Sequence, residues 1–197
     1  MGSMRLCRGD LFKSDSPAIA HGCNVLGVMG VGIAFDIKRV FPEMYEEYKK
    51  LCEDKKIGPG DIFTSDQRLN DSPTVIYNLM TQTGFNGADM QFMRMAFEKM
   101  IDHANANGIT EITIPMIGAG LGGISPSVCF NIYLEAIERY KGRLNVVVQF
   151  VENVKPHPIL DDKHDPRNQF KRAKELAERK AATEQFGDIV NKNNLQK

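Results

Sequence analysis

Two stretches of this sequence crowd glycines between a strand-like run and a helix-like run. The first places Gly27, Gly30 and Gly32 within AHGCNVLGVMGVGIAFDIKRVFP, residues 20–42. The second is PMIGAGLGGISP, residues 115–126, with Gly118, Gly120, Gly122 and Gly123. Glycine at such a junction serves a tight turn or lets something approach the backbone. For one loop the simpler reading is a turn. For two loops in matching contexts a bound phosphate is the better reading, because the unpaired N–H groups at a helix start carry partial positive charge. Two such loops on the same sheet edge could grip a diphosphate from both sides.

The remaining segments alternate in period. Residues 16–21 form a short half-apolar run feeding the first glycines. Residues 32–41 carry Ile33, Ile37, Val40 and Phe41 at helical spacing, stopped by Pro42. A charged helix follows over 43–52, then a Gly58-Pro59-Gly60 turn, a short strand over 61–64 and a Val/Ile/Tyr-rich strand over 74–80. Residues 90–107 form the clearest helix, with the stripe Phe92, Met93, Ala96, Phe97, Met100, Ile101 and Ala104 and a terminating Asn107-Gly108. A strand over 111–115, a helix over 126–140 with Ser125 as N-cap, and a nearly continuous apolar strand over 145–151 complete the series. Alternating elements predict an α/β fold.

At 197 residues and 42% hydrophobic, the chain suits one domain with an extension. Met1-Gly2-Ser3 reads as an expression scar before Met4. Residues 154–197 read as a charged appendage, with a helix candidate over 169–182 whose apolar stripe is thin. Lys171, Arg172, Lys174, Arg179 and Lys180 cluster there, but Glu175 and Glu178 between them fit a solvated helix better than a nucleic-acid surface. Lys+Arg and Asp+Glu are both 25, so the formal net charge is zero and gross electrostatics favours neither nucleic acid nor anionic membrane. No apolar run approaches the roughly 20 residues of a membrane span. Cys7, Cys23, Cys52 and Cys129 show no C-x-x-C spacing, and a reducing, cytoplasmic compartment is expected. No cluster has metal-ligand spacing and no cofactor is expected. The oligomeric state is left open.

Familiar phosphate-binding motifs do not match. A dinucleotide fingerprint needs a third glycine where Phe35 follows Gly30-Val31-Gly32-Ile33-Ala34. No G-x-x-x-x-G-K-[ST] occurs. The ordered series Gly9-Asp10-Leu11-Phe12, His21-Gly22-Cys23-Asn24, Met29-Gly30-Val31-Gly32-Ile33-Ala34 and Ile114-Pro115-Met116-Ile117-Gly118-Ala119-Gly120-Leu121-Gly122 instead resembles a macro domain, over residues 4–153. Within that family it resembles the branch with the yeast ADP-ribose-1''-phosphate phosphatase, the terminal ADP-ribose hydrolase and bacteriophage homologues. The resemblance implies a three-layer α/β/α sandwich with a mixed, mostly parallel central sheet and ADP-ribose, or a derivative of it, as ligand.

It also implies roles. Asp10 would accept the adenine amino group and Leu11 would offer a neighbouring backbone N–H. Asn24 would contact the distal ribose. Gly30, Val31, Gly32 and Ile33 would bind the diphosphate, with Gly118, Ala119, Gly120, Leu121 and Gly122 closing from the other side. Phe150 would pack on adenine or, equally, in the core. Catalysis is less well provided for. Where the resembled hydrolase has a nucleophilic lysine, this chain reads Asn78-Leu79-Met80-Thr81-Gln82-Thr83; its second glycine loop has no Asp. The other hydrolytic branch places an Asp where this chain reads Ile33-Ala34. His21, three residues before Asn24, could activate a water for phosphate release, or be a structural histidine. Two readings therefore stand: a hydrolase acting on ADP-ribose-1''-phosphate, with His21 and Asn24 catalytic, or a non-catalytic ADP-ribose binding module.

Overall fold

The computed structural model describes residues 2–139 and 144–150. The appendage of residues 154–197, with its helix candidate, lies outside the described residues. Among the described residues, six strands form one sheet in the order β1-β6-β5-β2-β4-β3. They are β1 (Ser3–Arg8), β2 (Ala18–Asn24), β3 (Ile62–Leu69), β4 (Ser72–Gln82), β5 (Glu111–Ile114) and β6 (Asn145–Phe150). Every pairing is parallel except β3 with β4. Among the described residues, four α-helices cover the sheet: α1 (Gly32–Val40), α2 (Pro42–Glu53), α3 (Met90–Ala106) and α4 (Pro126–Arg139).

The alternation of side chains along each strand assigns the two faces. In β2, Ala18 and Ala20 join Tyr77 and Leu79 of β4 under α3 and α4. Ile19 and Cys23 join Ile76 and Met80 under α1 and α2, against Ile37, Met44 and Tyr48. Helices thus lie on both faces of a mostly parallel sheet, as the alternating pattern predicts. Asp89 starts α3 by accepting N–H bonds from Gln91 and Phe92 at 2.7 and 3.2 Å. Pro42 separates α1 from α2 and opens α2 at its first turn.

Three differences from the sequence reading have physical causes. Strand β1 was not expected; it pairs in register with β6, and even Ser3 donates its hydroxyl to Asn145 Oδ1 at 2.8 Å. Its apolar residues are few because an edge strand needs little core surface. Strand β3 runs to Leu69 rather than stopping at Thr64. It returns as a hairpin into β4 through Asn70 and Asp71, both at positive φ. Strand β2 continues through Gly22 to Asn24, so the His21-Gly22-Cys23-Asn24 motif is strand and not loop.

The topology places a crevice. Strands β2 and β5 are parallel neighbours, but β2 leads to α1 on one face and β5 leads to α4 on the other. Their following loops part at the carboxyl edge, the switch point where α/β sheets bind ligands.

Candidate ligand-binding cleft

Loop 1, residues 25–31, follows β2; loop 2, residues 115–125, follows β5. They come together across the crevice: a Cβ built on Gly32, at φ +61°, lies 3.3 Å from Leu121 Cδ1. A Cβ on Gly120 meets nothing within 4 Å, so that glycine faces open space. The first helix residues after loop 1 have no capping side chain, since Val31 occupies the N-cap. Among the described residues no backbone partner engages the N–H groups of Gly30, Val31, Gly32 or Ile33, nor those of Gly120, Leu121 or Gly122. These are the donors a diphosphate would need. Ala119 differs: its N–H points inward to Met116 O at 3.2 Å, so its expected part in the grip is the shape of the loop and not a donor. Leu26, Phe85 and Leu121 stand exposed on three loops of this edge.

Asp10 follows β1 at the same edge and is exposed. One carboxylate oxygen accepts Phe12 N–H at 3.0 Å, which holds the short 3-10 turn Leu11–Lys13; the other oxygen is outside that bond. Leu11 buries its side chain in the core under α1 and α2. Phe150 ends β6, half-buried, and its carbonyl accepts Gly9 N–H at 3.2 Å. The structure therefore brings Asp10 and Phe150 together through Gly9. Beside them Gln149, which sequence reading passed over, lays its amide where a Gly9 side chain would sit, 2.9 Å from the built Cβ. Its Oε1 is buried without a hydrogen-bond partner.

Asn24 is 8% exposed and works inside loop 1. Its Oδ1 accepts Leu26 N–H at 2.8 Å and its Nδ2 donates to Val28 O at 2.7 Å. Only one amide hydrogen is left for a ligand. Tyr48 Oη, from α2, donates to Asn24 O at 2.7 Å and lies 3.1 Å from Asn24 Oδ1. Tyr45 Oη donates to Gly27 O at 3.2 Å.

The expectation that His21 activates water does not fit its placement. The residue is 0% exposed and points under α1 and α2, with Ile19 and Cys23. Asn78 Nδ2 donates to Phe63 O at 3.2 Å, so Asn78 Oδ1 is the atom that meets His21 Nε2 at 2.7 Å. That pairing puts the proton on Nε2. Burial lowers the pKa from 6.5 to about 4, against the opposing pull of the Asn78 bond. A neutral, enclosed ring bonded to a core amide has no path to a water in the cleft. Gln82, within the segment where the resembled hydrolase has its lysine, pairs with Asn24 in the β2–β4 ladder, where the register shifts by one residue.

The comparisons agree with this architecture. The family model described as "Macro domain" matches residues 20–133. A DNA ADP-ribosyl glycohydrolase of Thermus aquaticus is 32% identical over 166 residues, covering 83% of this chain and 46% of the relative. An ADP-ribose 1''-phosphate phosphatase of Candida albicans is 28% identical over 134 residues, covering 59% of this chain and 83% of the relative. The solved macrodomain of Mycobacterium tuberculosis DarG superposes with a TM-score of 0.71 at 25% identity, over 77% of this chain and all of that structure. This chain thus spans less than half the length of the Thermus relative.

Proposed function

The chain belongs to the macro domain family, and from that premise we propose that its cleft binds the ADP-ribose moiety of a larger or modified molecule. The observation that carries this reading is the meeting of the two glycine loops, with Gly32 against Leu121 and Gly120 facing open space. Free N–H groups on both sides suit a diphosphate. Asp10 suits the adenine amino group, an acceptor for a donor, with Phe150 beside it. The remaining amide hydrogen of Asn24 suits a ribose hydroxyl.

A binding role fits the polar groups better than glycosidic cleavage by a lysine. Gln82 offers no useful nucleophile and loop 2 has no carboxylate. A second reading, release of phosphate from ADP-ribose-1''-phosphate, is favoured by one observation. The chain aligns over 83% of the length of the Candida phosphatase. Backbone donors could stabilise charge on a phosphoryl group without a side-chain nucleophile.

Calorimetry with ADP-ribose tests the binding reading, alongside free-phosphate release from ADP-ribose-1''-phosphate and ADP-ribose release from ADP-ribosylated DNA. The expected result is saturable ADP-ribose binding, weakened about tenfold or more by Asp10→Ala, since a charge-assisted hydrogen bond contributes roughly 1.5–3 kcal/mol. No heat with ADP-ribose at millimolar concentration would overturn it. Phosphate release that persists in His21→Asn would favour the phosphatase reading by backbone donors alone.

A further inference from the structure

Each glycine loop is tied from behind in the same way. Loop 1 follows Asn24, whose carbonyl accepts the Tyr48 hydroxyl at 2.7 Å. Loop 2 begins after β5, and the Ile117 carbonyl accepts the Tyr133 hydroxyl. Both tyrosines are 0% exposed and sit on the helix that covers their loop's own face, α2 or α4. Each has a cysteine one helical turn away on the same helix, Cys52 or Cys129. Each cysteine also packs under a positive-φ glycine of the loop. A Cβ built on Gly27 (φ +74°) falls 3.4 Å from Cys52 Cβ, and one on Gly118 (φ +91°) falls 3.2 Å from Cys129 Sγ. The two halves share no sequence repeat, and the helices lie on opposite faces of the sheet.

We propose that Tyr48 and Tyr133 are paired positioning residues that hold the two loops in the ligand-receptive conformation, one from each face. The case rests on the proposed ADP-ribose reading of the cleft for its binding consequence, but not for its structural content. A loop whose N–H groups must face a ligand has to direct its carbonyls elsewhere. Buried carbonyls need donors, and at each loop one of them, that of Asn24 or of Ile117, finds a phenol. Burial holds both phenols above their ordinary pKa range, so they remain proton donors at neutral pH. Presetting the loops removes ordering that a ligand would otherwise have to impose.

Tyr48→Phe and Tyr133→Phe keep the buried rings and delete only the donors. Tyr77→Phe is the control: Tyr77 is equally buried and its hydroxyl pairs with His103 Nδ1 at 2.9 Å, away from both loops. Amide hydrogen exchange on the free protein should accelerate in residues 25–31 for Tyr48→Phe and in residues 116–123 for Tyr133→Phe, each leaving the other loop at the wild-type rate. The ADP-ribose dissociation constant should rise about tenfold in either variant, as expected for one lost hydrogen bond, and stay unchanged in Tyr77→Phe. Equal acceleration in both loops, or none, would overturn the proposal. So would equal loss of affinity in all three variants. If the wild-type protein fails to bind ADP-ribose, the binding reading falls, and the exchange experiment still decides whether the tyrosines set the loops.

Discussion

The two glycine loops look alike in sequence and share a tyrosine tie from behind, but their internal hydrogen bonds differ. Loop 1 relies on a side chain: Asn24 bonds Leu26 N and Val28 O, so one amide organises five residues. Within loop 2 the bonds run from backbone to backbone. Ile124 N donates to Gly118 O at 2.9 Å and Gly123 N to Gly120 O at 3.2 Å. Neighbouring backbone packs directly on it, with Ala88 N donating to Gly122 O at 2.9 Å. A Cβ on Gly122 would fall 2.5 Å from Gly118 O, and one on Gly87 2.7 Å from Gly122 O. Positive φ is used on both sides, at Gly27 and Gly32 and at Gly118 and Gly123, but only loop 2 adds close backbone approach, at Gly122. Similar composition can thus conceal different tolerances to substitution.

That contrast can be broken or sharpened by substitution, with effects ranked by stability. Gly122→Val should be the most damaging, by about 3 kcal/mol, because the clash is with loop backbone and not with a side chain that can move. Urea unfolding measures it, and a loss under about 1 kcal/mol would show that loop 2 can open without cost to the fold.

Acid should come next, and it acts beneath loop 1. The His21 pKa is about 4 folded against 6.5 unfolded, so between those values the unfolded chain binds more protons. Stability is then full above pH 6.5 and falls as pH drops toward 4, by roughly 2–3 kcal/mol. His21→Asn should flatten this part of the urea-midpoint profile from pH 7 to pH 4; an unchanged profile in that variant would assign the acid sensitivity to other groups.

Asn24→Ala should cost about 2 kcal/mol, since it deletes the bonds that shape loop 1 and leaves Leu26 N–H unpaired. Hydrogen exchange should rise in residues 25–31 and not in loop 2. Gly120→Val should change stability least, by less than about 0.5 kcal/mol, because its Cβ meets nothing within 4 Å. The same variant should nevertheless abolish ADP-ribose binding in calorimetry. Retained affinity would show that Gly120 lies outside the ligand's path.

Much of the fold was legible before the structure. The stripe from Phe92 to Ala104, the stop at Asn107-Gly108 and the apolar run over 145–151 state their elements through period and capping alone. The missing elements were those whose signal is weak for a physical reason. Strand β1 lies on an edge and needs few apolar residues. The end of β3 depends on Asn70 and Asp71 adopting positive φ, which Asn and Asp tolerate without announcing it. In the candidate site, glycine spacing marked both loops, and Asp10 was singled out through the resemblance to the family. It was least legible where side chains act through others. Tyr48, Tyr133 and Gln149 look like ordinary core or strand residues, and His21 beside Asn24 looks like chemistry.

By itself, then, the sequence determined the α/β class, the family resemblance and the two loops, because periodicity, glycine and proline act over a few neighbouring residues. Tertiary structure alone decided which face each residue of β2 meets. A strand turns successive side chains to opposite faces, so His21 entered the core against Asn78, a residue 57 positions away in the chain. It also decided that α1 and α4 leave adjacent strands toward opposite faces, which opens the crevice. Those facts depend on long-range pairing, where burial and hydrogen bonding are settled between residues that no local pattern connects.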